Sequence, residues 1–182
     1  MRQVGIPSTR PALARAAKLL PLLAALLLSA CSPDLDWREL NSAEGNFQVL
    51  MPGRPKMVSG PAGGAGGSNA TMTMWTAETG NALFGAGYTD YSDEATTHID
   101  ASRDGLVRNI RGKIIEDRDT RDGDMILRVI RLEGVAPDGA ARVMHARLYA
   151  SSHRLYQMAI IAKPGALTEN DLETFFTSFK RK

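Results

Sequence analysis

Between Lys113 and Ala162 the chain repeats one pattern four times, a run of alternating apolar and polar residues closed by a turn signal. The runs are Lys113 to Thr120, Met125 to Glu133, Ala140 to Ala150 and Arg154 to Ala162. Between them stand Asp122-Gly123, Asp138-Gly139 and Ser151-Ser152-His153. Period-2 alternation sends successive side chains to opposite faces of a sheet, and Asp-Gly supplies the positive φ of a tight hairpin turn. Strands joined by loops this short are antiparallel neighbours, so the four runs predict a continuous antiparallel meander. A meander with an apolar face must be covered by something else in the chain.

The same period predicts strands over Trp37 to Leu40, Phe47 to Met51, Thr71 to Thr76 and Leu83 to Tyr91. Gly60-Pro61-Ala62-Gly63-Gly64-Ala65-Gly66-Gly67-Ser68 is too rich in glycine to hold a helix or strand without a large entropic cost, and reads as a surface loop between strands. It is no phosphate cradle. The Lys-Ser/Thr of a P-loop is missing, and the residues that follow, Asn69 to Trp75, alternate like a strand instead of opening a helix. Two helices are predicted. The first runs from about Thr96 to Arg111, with Ile99, Leu106 and Ile110 near one face and Thr96 or Thr97 as N-cap. The second is capped by Thr168, with Asp171 in the capping-box position and Leu172, Phe175, Phe176 and Phe179 as an i, i+3, i+4, i+7 stripe. Four strands, a helix, four strands and a helix make an α+β arrangement, an antiparallel β-sheet covered by two helices.

The first thirty residues carry Arg2, Arg10, Arg15 and Lys18 and no acid, followed by the apolar run Leu19 to Leu28. About ten apolar residues are half of what a membrane span needs, so the segment reads as a cleaved export signal. Leu28-Ser29-Ala30-Cys31 resembles the lipobox of bacterial lipoproteins and matches it at every position. The resemblance implies that Cys31 receives a diacylglyceryl thioether, that the signal is cut before it, and that the new amino group is acylated. At roughly 0.8 kcal/mol per buried methylene, two acyl chains already anchor a protein stably, and three do so almost permanently. Ser32 after the cysteine, in place of Asp, implies sorting to the outer membrane, facing the periplasm. The organisation is then a signal over 1–30, a lipidated tether over 31–36 and one domain over 37–182.

Cys31 is the sole cysteine, so the exported domain has neither a disulfide nor a thiolate for catalysis or metal binding. The signal holds four of the 22 basic residues and none of the 20 acidic ones, so the mature chain has 18 against 20. The basic character of the precursor belongs to the signal, and charge gives no reason to expect a nucleic-acid partner.

The layout, with the opening Phe47-Gln48-Val49-Leu50-Met51-Pro52, the mid-chain helix and the closing Phe175-Phe176-Thr177-Ser178-Phe179, is similar to PsbP-like domains and their bacterial lipoprotein relatives. The resemblance covers most of the mature chain. It implies an α/β/α sandwich that serves as an assembly or interaction factor, and it carries over no catalytic residue.

Chemistry is scarce in the sequence. His98, His145 and His153 have no second His or Cys at helical or strand spacing, and no Gly-x-Ser-x-Gly, Ser-x-x-Lys or His-Glu-x-x-His pattern occurs. The acidic run Glu116 to Asp124 lacks the glutamate of a calcium loop and is interleaved with Arg118 and Arg121, as a solvated hairpin tip with cross-strand ion pairs would be. No metal and no cofactor are expected. The function these features point to is a membrane-anchored, non-enzymatic module that binds an envelope protein, with Tyr88 and Tyr91 as a candidate surface. The alternative is a carrier or sensor of a small apolar ligand or lipid, held in a cavity lined by Met72, Met74, Trp75 and Phe84.

Overall fold

A computed structural model describes Met1 and residues 35–62 and 70–182. Residues 2–34, over which the signal, Cys31 and the start of the tether are expected, and residues 63–69 of the glycine-rich stretch lie outside the described residues. The chain divides into two compact units, Met1–Asp34 and Leu35–Lys182, and the architecture is that of the second. In order it runs β1 (Trp37–Ser42), β2 (Phe47–Pro52), β3 (Lys56–Pro61), β4 (Thr71–Thr79), β5 (Ala82–Asp90), a 3-10 turn (Ala95–His98), α1 (Ile99–Asn109), β6 (Lys113–Asp122), β7 (Met125–Val135), β8 (Ala141–Ala150), β9 (Arg154–Ala162), α2 (Glu169–Thr177) and β10 (Lys180–Arg181).

The meander forms as its turn residues dictate. β6 to β9 pair consecutively and antiparallel. Gly123 and Gly139 take up φ of 61° and 80°, and the third turn closes with the Ser151 amide donating to the Arg154 carbonyl at 3.0 Å. β9 then pairs with β5, giving a seven-stranded sheet in the order β3-β4-β5-β9-β8-β7-β6. Two features depart from the sequence reading. Gly60 and Pro61 are not in a loop; they end β3, opposite Met72 and Thr71 of β4. This is an edge strand, where a proline removes no necessary ladder bond, and all but one of its six residues are exposed, so no apolar alternation marks it. In addition, β1 and β2 stay out of the main sheet and join β10 in a separate three-stranded one.

The helices differ in how they start. α2 has the full capping box: Thr168 Oγ1 accepts from the Asp171 amide at 3.2 Å and Asp171 Oδ2 accepts from the Thr168 amide at 2.9 Å. α1 does not begin on a threonine cap. Thr97 Oγ1 donates instead to the Glu94 carbonyl at 2.7 Å, which stabilises the 3-10 turn, and the α-helix starts after His98 with no side-chain cap.

Alternation along the strands sorts the core into two layers. On one face Phe84, Tyr156, Met158 and Ile160 pack with Phe47 and Met51 of β2 and with Phe175 and Phe176 of α2. On the other, Ile130, Leu132, Met144 and Leu148 lie against Ile99, Leu106 and Ile110 of the α1 segment. The expected fold class holds in its coarser form, a sheet-rich antiparallel α+β unit with two short helices. The difference is that α2 shares its face with a second sheet.

A candidate interaction groove

Along β7 the residues that face α2 are Met125, Leu127 and Val129, and then, with no break in the alternation, Arg131 and Glu133. β8 makes the same change in the same place, from Tyr149 to Arg147 and His145. The physical reason is the length of α2. Its nine residues cover the apolar part of the face, and the remaining part of β6, β7 and β8 stays open to solvent, where a charged side chain is stable and an apolar one is not.

Pairing sets Glu116, Arg131 and His145 side by side across three strands. Opposite them, α2 presents Glu169, Leu172, Glu173 and Phe176. The outcome is a groove made of two merging clefts of ≈ 500 and ≈ 820 Å³, which share Arg131, His145, Glu169 and Leu172. One end is bordered by Glu173 and Phe176, the other by Lys113 and Lys163.

The two arginines on the floor are held in place. The Arg147 guanidinium sits 4.8 Å from the centre of the Phe176 ring and donates to the Phe176 carbonyl at 3.3 Å, the position where a cation complements a helix C-terminus. Arg131 Nη2 donates to Glu133 Oε1 at 3.1 Å, while its Nε is buried without a partner. His145 is half-buried, and burial first, then the Arg131 charge, push its pKa below the ordinary 6.5. It is therefore neutral at neutral pH.

The residues singled out in the sequence are scattered. Tyr88 is not a surface residue: it is 8% exposed, stacked on Trp75 and covered by the Arg154 guanidinium at 4.6 Å. Tyr91 is half-buried and lies flat against the His98 ring at a centroid distance of 3.8 Å. Met72, Met74, Trp75 and Phe84 do not line one cavity. In register Trp75 faces Ala86 and belongs, with Phe84, to the packed aromatic face, whereas Met72 and Met74 stand at the alternate positions and point to the other side. There the two methionines border a cleft of ≈ 330 Å³ with Ser102, Leu106 and Gln157. Cys31 lies outside the described residues.

Among the described residues no hydroxyl group is hydrogen-bonded to a histidine ring. His98 Nε2 is 2.8 Å from Asp93 Oδ1, and His153 Nδ1 is 3.0 Å from the Asp93 carbonyl oxygen. Among the described residues no group of three or more His, Cys, Asp or Glu side chains is placed to hold a metal ion. The acidic run at β6 is the ion-paired hairpin its composition suggests. Arg128, whose side chain is 14% exposed, donates to both oxygens of Asp119 at 2.7 and 2.8 Å and also to Asp100 on α1, while Arg103 reaches Asp117 at 3.2 Å.

No known protein family matches the sequence, and no curated protein does either. Solved structures do. The cyanobacterial PsbP (CyanoP) of Synechocystis sp. PCC 6803 aligns with a TM-score of 0.54 over 86% of this chain and 99% of its own, at 10% identity. The chain shares the fold of a PsbP-like protein. A structure from Bacteroides thetaiotaomicron aligns at a TM-score of 0.46 and 10% identity, over 80% of this chain and 48% of its own. At such identity the PsbP-like likeness is one of fold alone. Among the described residues no helix is long and apolar enough to cross a membrane.

Proposed function

We propose that the protein is a lipoprotein of the bacterial cell envelope, anchored through acyl chains on Cys31, whose PsbP-like domain binds another protein and catalyses no reaction. In this reading the domain is an α/β/α sandwich with the small sheet completing the α2 layer, and it faces the periplasm from the outer membrane. The observation that carries the binding reading is the contrast between the two regions of one sheet face. Under α2 the space is filled: Phe84 is 0% exposed, with Trp37 at 5.8 Å and Phe175 at 5.3 Å, which leaves no room there for the apolar cargo of a carrier. Beyond α2 the same face opens into a long groove with charged residues on both walls and apolar ones between them, the mixed kind of surface that receives a protein segment.

The anchor is tested by growing cells that produce the full chain with an alkyne analogue of palmitate. Labelling is expected on the protein and absent from Cys31→Ala, and globomycin is expected to accumulate a lipid-modified, uncleaved precursor. Labelling that persists in Cys31→Ala overturns the lipoprotein assignment.

A further inference from the structure

We infer that the groove beside α2 receives an extended segment of the partner protein bearing a cationic residue at one end and a carboxylate at the other. This rests on the protein-binding reading above and specifies the partner's chemistry.

The argument begins with shape. The floor follows β7 from Val129 to Val135, which at about 3.3 Å per residue is roughly 20 Å, the span of about six residues of extended chain. Pockets for small ligands are concave and bury most of their ligand. This groove has charges on both walls and runs along the sheet surface.

Charge then fixes the polarity of the occupant. Several of the charged groups are already neutralised: Glu116 by Arg118 at 2.6 Å, Glu133 by Arg131 at 3.1 Å, and Arg142 by Asp138 at 3.9 Å. Arg147 is engaged with the end of α2 at 3.3 Å. Among the described residues Glu169, Glu173, Lys113 and Lys163 make no ion pair. Glu173 borders the first cleft, Glu169 both, and the two lysines only the second. The charge left over is therefore acidic along the first half of α2, from Glu169 at its start to Glu173 at its middle, and basic at Lys113 and at Lys163 in the loop that precedes the helix; Glu169 lies where the two clefts meet, so the first cleft keeps two acids and the second two lysines against one acid. Between these ends Leu172, Val129 and Val143 offer apolar contact. A segment of single sign would be attracted at one end and repelled at the other, whereas one with a cation over Glu173 and a carboxylate between Lys113 and Lys163 meets opposite charge at both.

The test is fluorescence anisotropy of the full chain, purified in detergent, with labelled peptides of the form Arg-Val-Ser-Val-Ser-Asp, its reversed sequence, and versions with Asp or Arg at both ends. One of the opposite-ended peptides is expected to bind saturably and about tenfold more tightly than either same-sign peptide. The double substitution Lys113→Glu with Lys163→Glu is expected to weaken it by about tenfold, the effect of two exposed pairs lost and two repulsions gained. Lys56→Glu, on the far edge strand, is expected to leave it unchanged. Equal binding of all four peptides, no saturable binding, or indifference to the lysine substitutions overturns the inference. Should the peptides fail while the anchored protein still crosslinks to an envelope protein in cells, the groove assignment falls and the protein-binding reading stands.

Discussion

Phe175→Ala is expected to destabilise the domain by about 3–5 kcal/mol. The side chain is 0% exposed, and its ring meets Phe84 edge-on at 5.3 Å and Phe176 at 5.1 Å. Transfer of the lost ring to water accounts for roughly 2–3 kcal/mol of this. The rest arises because the hole is framed by a seven-stranded sheet and two other aromatic rings, which cannot collapse into it as a loop would. For a unit of this size the loss corresponds to a fall in melting temperature of roughly 10–15 °C. Urea unfolding followed by tryptophan fluorescence is a suitable assay, because both tryptophans, Trp37 and Trp75, pack on this core. Leu172→Ala, on the half-exposed side of the same helix, is expected to cost only about 1–2 kcal/mol. A loss below about 1 kcal/mol for Phe175→Ala, with an unchanged m-value, would refute the claim that α2 closes this face.

Gly134→Ala places a Cβ 2.2 Å from the Ile110 carbonyl oxygen and 2.9 Å from Gly112 Cα, so the chain leaving α1 must move off β7; a loss of about 1–3 kcal/mol is expected, and an unchanged urea midpoint would contradict that contact. Arg128→Met leaves Asp119 without a cation and Asp100 and Asp117 with Arg103 alone. The expected loss is about 1–2 kcal/mol, kept low because the aspartates reach solvent, and it should shrink as salt screens the repulsion; a loss independent of salt argues against the electrostatic account. His145 titrates below its ordinary 6.5 in the folded state, so the unfolded chain takes up the proton first. Its contribution is complete above about pH 6.5 and is lost as pH falls through the folded pKa, hence His145→Gln is expected to flatten the melting-temperature profile in that window, and identical profiles would rule the linkage out.

The meander was legible because each of its turns is written in Asp-Gly or Ser-Ser-His and each strand alternates. α2 was legible through its capping box and phenylalanine stripe, although Phe179 lies just past the helix and reaches the core by stacking on Tyr149 at 4.5 Å. β3 left no trace, since an exposed edge strand has no buried face to impose a pattern. The groove was hidden for a related reason. Arg131, His145 and Arg147 look like ordinary outward-facing positions until the register shows that they share a face with Leu127 and Tyr149. A charged residue appearing in the core-facing phase of a strand is the signal that could have exposed them. Phase also explains the cavity expectation: Met74 and Trp75 are adjacent in the chain, and adjacent strand residues cannot line the same side.

The central claim, a lipid-anchored domain that binds an envelope protein, is tested most directly by in-cell crosslinking of the tagged full chain, followed by mass spectrometry of what is recovered from the membrane fraction. The account predicts one reproducible envelope protein, lost from the Lys113→Glu, Lys163→Glu chain and displaced from the membrane with Cys31→Ala. Recovery of a lipid or small molecule with no protein partner would contradict it and favour a carrier.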